Sequence, residues 1–251
     1  MLFAQGPAVS HQGMVKIPAG NYQPLFSQPS QNSNLKNQTQ KIKVSSFYID
    51  IYPVTNQQYL EFVKKTPQWQ KSKVSSLIAE KNYLVHWADD LKINAAQRHQ
   101  PVVNVSWYAA SDYCDALGKS LPTVDQWEYV ARADFFQKDL KNTTLTQKIL
   151  DWYSKPDHDH LGKVGSTLKN KWGVYDLHGL IWEWTEDFNS AMVTGESRGD
   201  SAIDRKFYCG GGVVGSSDFK DYAAFMRFAM RSSLKAKYTL STLGFRCVSD
   251  H

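Results

Sequence analysis

The chain has 251 residues, 42% of them hydrophobic and 21% charged, which is enough for one large domain or two small ones. Its formal charge of +5 comes from 29 basic and 24 acidic residues scattered along the sequence, with no cluster spaced to follow phosphates, so no nucleic-acid partner is expected. No apolar run approaches the ~18 residues needed to cross a bilayer, and no membrane span is expected either.

Residues 1–13, MLFAQGPAVSHQG, lack the basic and long apolar regions of a signal peptide, so in an exported protein the signal is expected to have been removed. They read as a tail before a domain spanning 14–251. Residues 14–26 suggest a strand followed by a Pro and Gly turn region. The amide-rich stretch 27–40 suggests an exposed loop. In KIKVSSFYIDIYPVT, apolar residues alternate with polar ones but change phase at Ser45 and Ser46, the signature of a strand with a bulge or kink.

Thr55 and Asn56 are candidate caps for a short helix with Tyr59, Phe62 and Val63 on one face, ended by Pro67. Residues 68–100 show no dominant period and read as a variable insertion. Ser106 can cap a second helix whose Trp107, Ala110, Tyr113, Cys114 and Leu117 share a face and which Gly118 stops. Thr123 and Gln126 then form a capping-box pair for a third helix with Trp127, Val130 and Ala131 as its buried stripe. Short strands, few helices and long irregular connections describe an α+β domain.

Residues 173–187, GVYDLHGLIWEWTED, set Glu183 between Trp182 and Trp184. On a strand the two indoles share one face and the carboxylate points the other way, so a buried Glu183 needs an arginine, a metal or backbone amides. His178, in the same segment, is a candidate metal ligand or acid–base group, or a hydrogen-bonded structural histidine. His158 and His160 alternate with Asp157 and Asp159, a pattern that suits copper or zinc but also an exposed polar loop. Arg227 and Arg231 lie four apart in FMRFAMRSSL and suit carboxylate recognition or salt bridges. Cys114, Cys209 and Cys247 fit no zinc spacing and allow free thiols or one bridge plus a free thiol.

Taken together, MVKIPAGNY, FYIDIYPVTNQQYLEFV, PVVNVSWYAASDYC, LPTVDQWEYVARA, GVYDLHGLIWEW and LGFRCV resemble, in order, the formylglycine-generating enzyme or sulfatase-modifying factor family. The resemblance implies a single-domain variant C-type-lectin-like fold rich in irregular loops. It implies a disulfide between Cys114 and Cys247, export to a periplasmic or secreted location, and a structural Ca²⁺ held by Asp176, Gly179, Ile181 and Glu183. The rival for Glu183 is a pair with Arg246. The family's copper-binding or redox cysteine pair is missing, because no cysteine occurs between Cys209 and Cys247. Standard oxidation of a cysteine to formylglycine is therefore not expected.

What the resemblance leaves is a metal-dependent oxidoreductase, using copper or iron, on a peptide or amino-acid-derived small-molecule substrate. Its expected cleft residues are Cys209, His178, Arg227 and Arg231. The alternative is a non-catalytic binding or maturation factor for a protein partner in the periplasm, such as a copper enzyme.

Overall fold

A computed structural model describes residues 10–22, 41–133, 151–152, 161–189 and 219–250, with side chains from 226 onward in the last stretch. Strand β1, Met14–Ile17, pairs antiparallel with β4, Phe47–Asp50, which in turn pairs with β7, Val248–Ser249. Strand β2, Gly20–Tyr22, pairs with β3, Ile42–Val44. The turn expected after Ile17 therefore occupies only Pro18 and Ala19 before the chain becomes extended again. The phase change at Ser45 and Ser46 separates β3 from β4, which belong to different sheets, so the alternation changes face where the chain changes partner.

Helix α1, Asn56–Lys65, starts at Thr55, whose side chain accepts from the Gln58 amide while the Gln58 side chain accepts from the Thr55 amide. Tyr59, Phe62 and Val63 are buried as their spacing requires. Helix α2, Trp107–Asp115, is capped by Ser106, and Gly118 follows with φ of 68°, a left-handed conformation suited to glycine. Leu117 is 46% exposed, contrary to the expected face, because the helix has ended before it and the stripe no longer applies. Helix α3, Val124–Ala131, carries the expected Thr123 and Gln126 capping box.

The main core gathers Tyr59 and Val63 of α1, Ala110 and Tyr113 of α2, and Trp184, Phe245 and Cys247 from later in the chain. Residues 68–100 add Trp69, Tyr83, Leu84 and Trp87 to it, so this stretch is a structural wall rather than a detachable insertion. It lacks a period because it is built from turns and two short 3₁₀ segments, Pro67–Trp69 and Ala95–Gln97. A second core joins Ile17, Phe47 and Ile49 of the sheet to Trp127 and Val130 of α3.

Cys114 and Cys247 form a disulfide across a sequence separation of 133 residues, joining α2 to the chain entering β7. The terminal LGFRCVSDH is not one strand. It makes β6, Leu243–Gly244, then passes through Phe245 to Cys247 and makes β7 in another sheet. Strand β6 runs parallel to the two-residue β5, Trp182–Glu183. Helix α4, Phe219–Ser233, precedes this terminal region. No helix among the described residues is long and apolar enough to cross a membrane.

Candidate functional site

Three pieces of chain converge around Glu183: α3, α4 and residues 173–187. The last piece is held against the end of α3 by two side chains. Asn170 donates through Nδ2 to the Val130 carbonyl at 2.9 Å, and its Oδ1 accepts from the amides of Trp172 and Val174. His178 donates through Nε2 to the Ala131 carbonyl at 3.0 Å. Both bonds go to carbonyls in the last turn of α3, where the i+4 ladder ends; that of Val130 also accepts from the Ala133 amide at 3.2 Å.

The segment itself turns through Asp176, at φ 63°, and Gly179, at φ 101°, two left-handed positions that bring it back toward the core. Trp184 is fully buried and donates through its indole to the Val105 carbonyl at 2.9 Å. Trp182 packs against the same core, and Glu183 points the opposite way, toward Trp127 of the second core.

Glu183 meets Arg246. The guanidinium donates from Nη2 to Oε1 at 2.7 Å and from Nε to Oε2 at 2.8 Å, and the Trp127 indole donates to Oε2 at 2.8 Å. Both side chains of the pair are 0% exposed. Arg246 directs its remaining N–H groups to the carbonyls of Asp50, Ile51 and Tyr175. A buried ion pair is net favourable only when its leftover donors and acceptors are satisfied, and here they are. One arginine thereby ties the end of β4 to the 173–187 segment.

A second charged cluster lies beside the first. Arg227 grips Glu128 with two bonds, Nε to Oε1 at 2.9 Å and Nη2 to Oε2 at 2.8 Å, and its guanidinium lies 5.8 Å from the Trp127 ring centre. Arg231, one helical turn on, reaches Glu128 Oε1 through Nη1 at 3.1 Å. Burial pushes the Glu128 carboxyl up, but Arg227 first and Arg231 second outweigh it and hold it at about 2. For His178, burial and then the nearby Arg227 cation push the imidazole down to about 4, so it is neutral at pH 7.

Between these clusters lies a cleft whose walls include Trp127, Trp152, Trp182, Thr185, Arg227 and Arg231. Its cavity volume is about 20 Å³, room for one water-sized group. A larger hollow of about 800 Å³ opens elsewhere, between the end of β4, the start of α1 and the end of α2. It contains none of the candidate site residues, and its charged groups Asp50 and Lys119 neutralise each other at 2.8 Å. The smaller cleft is the better candidate, since it sits where the segment with the most chemistry converges with the two arginines.

The pattern for a sulfatase-modifying factor enzyme 1-like domain matches residues 2–251. The chain belongs to that family. It is 25% identical over 292 residues to the formylglycine-generating enzyme of Bos taurus, covering 95% of this chain and 75% of that protein. It is 27% identical over 288 residues to the inactive C-alpha-formylglycine-generating enzyme 2 of the same species, covering 94% and 87%. Among solved structures, PvdO from Pseudomonas aeruginosa matches with a TM-score of 0.51 at 18% identity, covering 95% of this chain and 94% of that one, a likeness of fold.

The family residues meet this geometry unevenly. Arg227 and Arg231 line the cleft, His178 packs behind it with its ring 5.9 Å from that of Trp127, and all three are bound to protein groups. Cys209, His158 and His160 lie outside the described residues. The four expected calcium ligands, Asp176, Gly179, Ile181 and Glu183, do share one segment. Asp176, however, accepts at Oδ1 from the Thr167 amide and hydroxyl and at Oδ2 from the Gly165 amide. Glu183 already accepts three hydrogen bonds from Arg246 and Trp127, and a cation beside it would face a buried guanidinium. As arranged, these residues do not fit a calcium ion, and calcium stays an expectation of the resemblance. Among the described residues no three His, Cys, Asp or Glu side chains group to hold a metal.

The sequence pointed to neither Glu128 nor Thr185. Glu128 lay hidden in the apolar stripe of α3, where its only signal was a carboxylate next to Trp127. Thr185 carries no signal at all, since a single threonine after a tryptophan is commonplace.

Proposed function

We propose that this chain is an exported, non-standard member of the formylglycine-generating enzyme family, built on a variant C-type-lectin-like scaffold. In this reading it binds a peptide or amino-acid-derived ligand in the cleft between α3, α4 and residues 173–187. The observation that carries the proposal is a built recognition surface, three indoles and two arginines, in a chain without the cysteine pair for standard chemistry. Aromatic walls with a few convergent polar groups suit an organic ligand that lies across the cleft mouth, since the cavity of about 20 Å³ admits only one small group of it. The disulfide supports export to an oxidising compartment such as the periplasm.

Oxidation at a copper or iron centre is the second reading. It is favoured by the bridge between Cys114 and Cys247, which leaves Cys209 as the one cysteine outside it and so a candidate thiolate. The two readings separate in one experiment. Purified protein is incubated with a mixed library of short peptides, and bound species are identified by mass spectrometry while oxygen uptake and metal content are recorded. Recovery of peptides that Trp182→Ala no longer retains, with no oxygen uptake, supports binding. Peptide-dependent oxygen uptake lost in Cys209→Ser supports oxidation, and retention of no peptide by the wild type rejects the cleft.

A further inference from the structure

Thr185 lines the cleft, is 2% exposed, and its Oγ1 has no hydrogen-bond partner among the described residues. Its carbonyl is occupied by the Trp107 indole at 3.0 Å, so the backbone is anchored and only the hydroxyl is left over. Leaving a buried hydroxyl unpaired is unfavourable, and native proteins rarely do so without a ligand, an ion or a water to complete it.

Arg231 shares the cleft. Its side chain is 17% exposed, and its one hydrogen bond among the described residues is from Nη1 to Glu128. A guanidinium carries five N–H donors in a fork that matches a carboxylate. Glu128 already takes two bonds from Arg227, so Arg231 is the surplus cation of the cluster. Among the described residues, the cleft charges and their direct ion partners are three guanidiniums, on Arg227, Arg231 and Arg246, and two carboxylates, on Glu128 and Glu183. Within that set the site is one positive charge in excess. Its walls include Trp127, Trp152 and Trp182, with the rings of Trp152 and Trp182 tilted by 48° to one another at a centroid distance of 5.2 Å.

We propose that the cleft recognises a free carboxylate, bound by the spare N–H donors of Arg231 and by the Thr185 hydroxyl, with an apolar or aromatic body against Trp152 and Trp182. This rests on the cleft being the ligand site and names the chemical class that it takes. A carboxylate supplies the missing charge, fits the small cavity with one oxygen, and gives the Thr185 hydroxyl an acceptor. A neutral amide brings no charge and turns an N–H toward a guanidinium that has only donors.

The probes are N-acetyl-L-phenylalanine and its primary amide, titrated into the whole protein by calorimetry and followed by tryptophan fluorescence. The expected result is binding of the acid at least about ten-fold tighter than the amide, the loss associated with removing a charge-assisted hydrogen bond. Thr185→Val and Arg231→Gln should each remove most of that preference, and Arg231→Lys should restore part of it. Thr185→Val keeps the shape of the side chain and deletes an unsatisfied group, so it should melt within a few degrees of wild type and remains informative if Arg231→Gln misfolds. Equal binding of acid and amide, or a preference untouched in both variants, overturns the carboxylate assignment and leaves the cleft standing as a ligand site. Binding of neither probe overturns both.

Discussion

Glu183→Gln tests the most consequential piece of geometry in the molecule. The substitution preserves shape but removes the charge that balances Arg246, which stays buried with 0% exposure. It also replaces one acceptor oxygen with an NH₂, which meets either Arg246 Nη2 or the shared donors Arg246 Nε and Trp127 Nε1. Breaking a buried pair at one end costs about 3–5 kcal/mol. At about 2–4 °C per kcal/mol for a chain of this size, the melting temperature should fall by roughly 6–20 °C.

The assay is thermal and urea unfolding of both proteins, with and without excess EGTA and with added Ca²⁺. If the Arg246 pair is what satisfies Glu183, the wild type is insensitive to the chelator and the mutant loses its stability regardless of calcium. Replacing both partners, Glu183→Leu with Arg246→Met, should recover a large part of the loss, because no uncompensated charge is left. A wild type that loses many degrees in EGTA, together with a Glu183→Gln variant that no longer responds, would refute the reasoning and restore Asp176 and Glu183 as calcium ligands.

Acid should destabilise the protein in a definable window. The His178 imidazole is lowered from 6.5 to about 4 by burial and then by Arg227, so the unfolded chain takes up its proton first. Stability is complete above about pH 6.5 and falls as pH drops toward 4, by about 3 kcal/mol from this group. His86, held down chiefly by burial, titrates in the same direction. Urea titrations from pH 7 to 4 should show this slope and His178→Gln should reduce it, leaving the part due to His86; an unchanged slope in that variant would remove His178 as a source. Reduction of the disulfide, which spans 133 residues, should lower stability by roughly 5 kcal/mol on loop-closure entropy. Non-reducing mass spectrometry should find Cys209 alone open to alkylation after denaturation. Gly244→Ala should destabilise by about 1–3 kcal/mol or more, because a Cβ there would lie 2.3 Å from the Val102 carbonyl oxygen; a neutral effect in urea unfolding would show that β6 can shift away.

What the sequence by itself determined was local. Thr55, Ser106 and Thr123 mark helix starts because a cap needs only a side-chain oxygen and an amide two or three residues on. The apolar stripes of α1 and α3, the break at Ser45 and Ser46, and the family framework were legible for the same reason, since each is written within a few consecutive residues. The opposite sides taken by Trp182 and Glu183 also follow from one strand's pleat.

Only the tertiary structure decided which partner satisfies the buried carboxylates. Glu183 finds Arg246 across 63 residues and Glu128 finds Arg227 across 99. No spacing encodes such meetings, and a glutamate between aromatics is compatible with a metal, an arginine or backbone amides until the chain has closed around it. Likewise the burial of residues 68–100, the splitting of the terminal LGFRCVSDH between two sheets and the unpaired hydroxyl of Thr185 exist only once distant segments are packed. Hydrogen bonding and desolvation act through space, so the chemistry of this cleft is a property of the closed fold.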